Sequence, residues 1–316
     1  MCLTRRSRCH GPTNHTATIA AVQAESDIGS RERSLERAIE LIGEAGQQGA
    51  DLIAFGETWL PGYPGYHFTA GFEIQRKNAS YLDQAVTIGS EETDRLCQAA
   101  ADVGADVVIG VVERDPVTDG SVYCTLLFIG SDGAILGRHR KMKPTGGERG
   151  VWSDGDAVGL RVHRRPYGRL SGLNCWEHRV PLEVAALAAQ GPEVHVAAWP
   201  GGPPEMTRCH VLSSAFAAQA SCYVVAVGGY SSAAPEISPG ASAVFGPNGA
   251  MIAGPAEGET ILYAELDPAV LRGEKMTFDA GGHYSRPDLL HLSVDRRHRH
   301  LVEMTDDDSS EVATIH

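Results

Sequence analysis

The chain has 316 residues, 42% apolar and 21% charged, with a formal net charge of −13. That composition suits a soluble globular protein with a substantial core, and the acidic balance argues against nucleic-acid binding, which needs a basic footprint. No apolar run approaches the roughly eighteen residues of a membrane span, and the basic, polar start MCLTRRSRCHGPTNH has no apolar signal core, so cytoplasmic residence is the default expectation.

Residues 1–15 read as a disordered N-terminal extension, and TATIAAVQ (16–23) as a first strand. A helix follows, with Leu35, Ala38, Ile39, Ile42 and Ala45 at helical spacing, Ser30 as its cap and Gly49 just past its end. DLIAFGE (51–57) is a short buried strand ending at an acidic residue. The Pro/Gly/aromatic loop WLPGYPGYHF (59–68) comes next, then a helical stretch near 90–103. DVVIGVVER (106–114) and SVYCTLLFIG (121–130) form a strand pair, and ILGRHRKMKP (135–144) is a strand running into a loop.

The second half repeats the alternation. RLSGLNCWE (169–177), VHVAAWP (194–200) and CYVVAVGG (222–229) read as strands, with helices over 181–191 and 206–221 between them. FGPNGAMIAG (245–254) has the signature of a hairpin, TILYAEL (260–266) is a strand, and a short helix starts at Pro268. Alternating strands and helices with hairpins among them imply a layered α/β fold with mixed sheets. One domain over 16–290 is expected, with 291–316 as a tail. RRHRH (296–300) reads as solvated charge and the acidic TDDDSSE (305–311) as disordered.

Seven cysteines at 2, 9, 97, 124, 175, 209 and 222 show neither paired spacing nor C-x-x-C, and the thirteen histidines form no H-E-x-x-H. Free thiols in a reducing compartment, without a zinc signature, are the simple reading. G-x-S-x-G, G-x-G-x-x-G and the P-loop are also absent, which disfavours a serine hydrolase or a nucleotide-binding enzyme.

Three reactive groups sit where strands end: Glu57 closes DLIAFGE, Lys141 follows GRHR, and Cys175 closes RLSGLNC. In layered α/β proteins strand ends are where sites collect. Only four lysines occur, at 77, 141, 143 and 275, so two within HRKMKP is a local concentration. A thiol needs activation to attack, a buried carboxylate can take its proton, and an ammonium can stabilise negative charge at the attacked centre. The trio suits addition to a carbon bearing nitrogen, followed by hydrolysis of the covalent adduct.

The segments AFGETWLPGYP, HRKMKPTGGERGVW and GLNCWEHRVPL, supported by VHVAAWPG (194–201) and GGHYSRPDLL (281–290), resemble the nitrilase branch of the carbon–nitrogen hydrolase superfamily. Amidases and carbamoylases of that superfamily typically place Tyr and Asp after the nucleophile, whereas this chain has Cys-Trp-Glu-His. The resemblance implies a four-layer α-β-β-α sandwich with the site at one end of the sheets. It also implies hydrolysis of a small-molecule nitrile to a carboxylic acid and ammonia, with no metal or organic cofactor. Cys175 would be the nucleophile, Glu57 the general base and acid, Lys141 the stabiliser of the tetrahedral species and Glu148 an aid to lysine and water. The backbone N–H of Trp176 would polarise the substrate nitrogen. Homo-oligomers, dimers or larger spirals, are implied as well. Rival outcomes are an amidase or carbamoylase using the same trio, release of amide from the thioimidate, and a catalytically silent scaffold on this fold.

Structural readings stand beside these. Cys124 and Cys222, in apolar runs, are expected to be inert buried thiols, and Lys143 a surface charge. Glu177, two residues past Cys175 on an extended strand, would share its face and is read as structural, and His178 as a packing residue. Trp59, Tyr63 and Trp199 suit either the lining of a substrate pocket or the core. Many superfamily members carry proline before the catalytic glutamate. Gly56 stands there instead, so the placement of Glu57 must rest on its surroundings.

Overall fold

The structure, a computed structural model, describes residues 16–64, 72–201, 203–233 and 238–297, with the side chains of 72–75 and 203–206 left aside. The expected extension over 1–15, the end of the 59–68 loop, the end of RRHRH and the acidic 305–311 run lie outside them. In chain order the elements are β1 (Ala17–Gln23), α1 (Arg31–Gln47), β2 (Leu52–Ala54), α2 (Phe72–Asp83), α3 (Glu91–Val103), β3 (Asp106–Arg114), β4 (Val122–Ile129), β5 (Ile135–Arg140), β6 (His163–Arg165), β7 (Gly168–Asn174), α4 (Pro181–Ala188), β8 (Val194–Ala198), α5 (Pro203–Ala220), β9 (Tyr223–Val227), β10 (Ala243–Phe245), β11 (Met251–Ala253), β12 (Thr260–Leu266) and α6 (Pro268–Thr277).

Two six-stranded mixed sheets result, one ordered β12-β1-β2-β3-β4-β5 and the other β11-β10-β9-β8-β7-β6. The inner strands are apolar nearly throughout because both of their faces are covered. Period-two alternation divides them: Ala20 and Val22 of β1 and Val107, Ile109 and Val111 of β3 pack with Leu35, Leu41 and Ile42 of α1 and Leu96 of α3. Ala17, Ile19, Ala21 and Val108 point the other way, onto Val194, Val196, Val225 and Val227 of the second sheet. Ala197, Val224 and Ala226 cover that sheet's far face with Ala186 and Leu187 of α4 and Phe216 and Ala217 of α5. The order helix, sheet, sheet, helix is the expected four-layer sandwich.

Local signals explain the element ends. Ser30 accepts from the Arg33 N–H at the start of α1, and Asp267 from the Ala269 N–H before α6. The strand read through residue 177 stops at Asn174, however, and Cys175–Arg179 form a 3₁₀ turn. Two elements went unread in the sequence: α2, whose last eight residues, from Arg76 to Asp83, are mostly polar, and the three-residue β6. Among the described residues no helix is long and apolar enough to cross a membrane.

Candidate active site

The Glu57 loop leaves β2 and lies flat on β3, and it can do so because position 110 is glycine. A Cβ on Gly110 would sit 2.3 Å from the Gly56 carbonyl oxygen and 2.4 Å from the Thr58 nitrogen. The Leu60 N–H donates to the Gly110 carbonyl at 3.0 Å, and Thr58 takes a left-handed φ of 47°. Gly56 thus needs no proline to steady it, because the neighbouring strand fixes the loop on both sides of Glu57.

Lys141 follows β5, and its N–H donates to the Cys124 carbonyl of β4 at 2.7 Å. Its ammonium, at 1% exposure for the residue, donates to Glu57 Oε1 at 2.6 Å and to Glu148 Oε2 at 2.7 Å. Glu148 lies on the 3₁₀ turn Gly146–Gly150, where its carboxylate also accepts the Thr145 N–H at 2.6 Å. Tyr63 donates its hydroxyl to Glu148 Oε1 at 3.0 Å and meets Trp152 edge-on at 5.6 Å. Trp152 also faces the Lys141 ammonium, 5.8 Å from its ring centroid.

Cys175 begins its turn with a φ of 46°, a left-handed conformation that costs a non-glycine residue about 1–3 kcal/mol unless its surroundings hold it. Two neighbours do. Glu177 accepts the Asn174 N–H at 2.9 Å and the Met142 N–H at 2.8 Å, and both of its oxygens meet His139 Nε2 at 3.0 Å. His139 and Met142 flank Lys141, so Glu177 ties the lysine strand to the residue before the cysteine. His178 Nδ1 lies 2.8 Å from the Cys175 carbonyl, which only accepts, so that nitrogen carries the proton. Its Nε2 then accepts from His195 Nε2 at 3.0 Å, and His195 Nδ1 accepts from the Ser171 hydroxyl at 2.8 Å. Burial keeps both rings neutral, holding His178 down at about 4 and His195 well below its ordinary range.

Burial also shapes the reactive groups. It lifts the Glu57 carboxyl to about 7, partly offset by the Lys141 ammonium and reinforced by Glu148. Burial opposes the Lys141 charge, but Glu57, the two thiols and Glu148 outweigh it and hold the group well above its ordinary value. The Cys175 thiol is pushed well up, first by burial and then by the Glu57 charge, with Lys141 pulling the other way. At neutral pH the resting site therefore holds a protonated thiol, a carboxyl near its titration midpoint and a fixed cation.

Of the sequence-derived candidates, Glu57, Lys141 and Glu148 form one hydrogen-bonded cluster, with Tyr63 against Glu148 and the Cys175 sulfur within reach of the cluster's charges. Trp59 departs from the pocket-lining alternative and takes the core one: its indole donates to the Ala24 carbonyl at 3.1 Å and packs edge-on against Phe55, in the core on the outer-helix side. The turn at Thr58 swings the Trp59 side chain away from the cluster. Trp199 lies in the core with Cys175 and stacks on His178 at 5.1 Å, beneath the Cys175 turn, and its carbonyl accepts the Glu57 N–H at 3.4 Å. The Trp176 ring is flanked by the guanidinium groups of Arg179 at 4.2 Å and Arg208 at 5.5 Å. Glu177 is structural as expected, but it reaches its partners from a 3₁₀ turn and not from a strand face. Trp152 and Cys124 belong to the site and were missed as members of it. Trp152 falls inside HRKMKPTGGERGVW, a signal that was available.

Fold and site together define a layered α/β protein in which a buried Glu–Lys–Glu cluster acts electrostatically on a buried thiol just past a strand end. The chain belongs to the carbon–nitrogen hydrolase family, which it matches over residues 18–275. It is 50% identical over 305 residues to Nitrilase 2 of an unknown prokaryotic organism, covering 92% of this chain and 96% of the relative. It is 33% identical over 331 residues to the aliphatic nitrilase of Rhodococcus rhodochrous, covering 96% and 87%. Among solved structures, Saccharomyces cerevisiae Nit3, a member of branch 10 of the nitrilase superfamily, shares the fold with a TM-score of 0.75 at 21% identity, covering 89% of this chain and 99% of that one.

Proposed function

We propose that the protein hydrolyses a small organic nitrile to the carboxylic acid and ammonia, with Cys175 as nucleophile. The nitrilase relatives at up to 50% identity support the reaction class. The observation that carries the reading is the Lys141 ammonium bridging Glu57 and Glu148 with no exposure of its side chain.

A neutral thiol attacks a nitrile carbon only if its proton leaves as the bond forms. Glu57, in its ionised fraction, takes that proton and delivers it to the nitrile nitrogen, giving a thioimidate on Cys175. Water adds next, Lys141 stabilises the tetrahedral species, and ammonia leaves with a proton supplied through Glu57. The acyl thioester is then cleaved by a second water to carboxylate and free thiol, so two waters are consumed and one ammonia released. Glu148 holds Lys141 as its second carboxylate partner, and the N–H of Trp176 polarises the substrate nitrogen. The domain is taken as 16–290 and the location as cytoplasmic, where the five described cysteines, all free, would stay reduced. A homo-oligomer suits the exposed Leu182 of α4 and Val211 of α5, which a second copy would cover.

The test offers a nitrile panel and the matching amides to the purified protein and follows ammonia. Acid and ammonia from a nitrile, with the amide left untouched, support the reading. Turnover of amides alone assigns the trio to an amidase, and no turnover of either overturns the hydrolase.

A further inference from the structure

Glu57 is gripped by one oxygen only. Oε1 accepts from Lys141 at 2.6 Å and from the Cys124 thiol at 3.1 Å, while Oε2, equally buried, has no partner within the protein. Cys124 stands on β4 at the end of the face that Leu126 and Phe128 turn toward the second sheet, so strand alternation carries its thiol to the point where the two sheets meet the site. Its carbonyl holds the Lys141 N–H at 2.7 Å. A single residue therefore contacts both members of the ion pair, one through its main chain and the other through its side chain.

We propose that Cys124 is a positioning residue for Glu57, its S–H···Oε1 hydrogen bond locking one carboxylate oxygen so that Oε2 faces the reacting atoms. The inference rests on Glu57 being the base. A hydrogen bond given to the carboxylate favours the ionised form, which is the form that takes the thiol proton. Burial, then the Glu57 charge, keep the Cys124 thiol well above its ordinary value of 9.0, so it stays a donor and does not compete as a nucleophile. The other titratable groups around Glu57 are Lys141 after β5, Glu148 on its 3₁₀ turn, Tyr63 on the loop after β2 and Cys175 after β7; a change at position 124 leaves all four side chains in place, and the main-chain bond from Lys141 to the carbonyl of residue 124 survives it.

The experiment compares kcat/KM against pH for the full chain and for Cys124→Ser, Cys124→Ala and Cys124→Val. Serine keeps a donor, alanine removes it, and valine removes it while filling the space, so a packing defect separates from a lost hydrogen bond. Alanine and valine are expected to lower kcat by about tenfold with little change in KM, the scale of one hydrogen bond to a charged group. Both should move the acid limb to higher pH, because the ionised form has lost a donor, while serine holds the limb at or below its original position. An acid limb unmoved in alanine and valine, or moved equally in serine, overturns the inference. Glu57→Gln, assayed alongside, separates the two failures: wild-type turnover there sinks the base assignment itself, whereas a dead Glu57→Gln with an unmoved limb in alanine and valine sinks only the role of Cys124.

Discussion

Two glutamates at the same end of the sheets, Glu57 and Glu177, are buried to nearly the same degree and have opposite fates. Burial raises both, but His139 and the N–H groups of Met142 and Asn174 outweigh it at Glu177 and hold that carboxyl below its ordinary value. At Glu57 the single cation cannot outweigh burial together with the neighbouring Glu148 charge, and the group stays near 7. Both oxygens of Glu177 are engaged, whereas Glu57 keeps Oε2 free. A saturated buried carboxylate is a structural joint. A half-saturated one has capacity left for a proton and a substrate.

The largest expected effects break the reactive half of that pair or the groups beside it. Glu57→Gln keeps the shape but cannot take a proton, so kcat should fall by about 10²–10⁴ with the fold intact by circular dichroism. Cys175→Ala and Lys141→Ala should abolish turnover outright in equally folded protein, and wild-type activity in either would dissolve the contrast. Breaking the structural half should act on stability first. Glu177→Gln strands His139 in the core and should cost about 3–5 kcal/mol in urea unfolding. Unchanged stability with lost turnover would make Glu177 a chemical group after all.

Smaller effects come from pH, and their signs differ. The folded value of Glu57 lies above its ordinary 4.5, so the folded protein binds the proton more tightly and the contribution of Glu57 to stability falls as pH rises from about 4.5 to 7. Glu177, depressed on folding, contributes stability that is complete above its ordinary 4.5 and is lost as pH drops through its lower folded value. Activity should decline about tenfold per unit below pH 7 as Glu57 protonates. Stability titrations of Glu57→Gln and Glu177→Gln should each erase one slope and leave the other.

The sequence carried the chemistry further than the geometry. Glu57, Lys141 and Cys175 were legible as candidates because each lies in a motif just past a strand, and Glu148 because it shares the motif of Lys141. A layered α/β fold with mixed sheets was legible because the alternation of strands and helices is regular, and the number of layers came from the family resemblance. Which of its two readings Trp59 takes was hidden because the turn at Thr58 depends on Gly110, more than fifty residues away, and no local pattern shows that approach. Glu177 was put on a strand face because the left-handed backbone of Cys175, which ends the strand, is held by long-range bonds to His139 of β5 and to Met142 beyond it, and by His178. Cys124 looked like any core thiol. Its burial was expected, but its contact with Glu57 spans 67 positions and becomes visible only once β4 lies beside the Glu57 loop.

Peptide mapping by mass spectrometry after acid quench, on the wild-type protein turning over a nitrile substrate, tests the central claim most directly. The substrate-derived acyl or imidate mass should sit on the peptide containing Cys175. A label on Cys124 or any other side chain, with Cys175 left free during turnover, would contradict the mechanism.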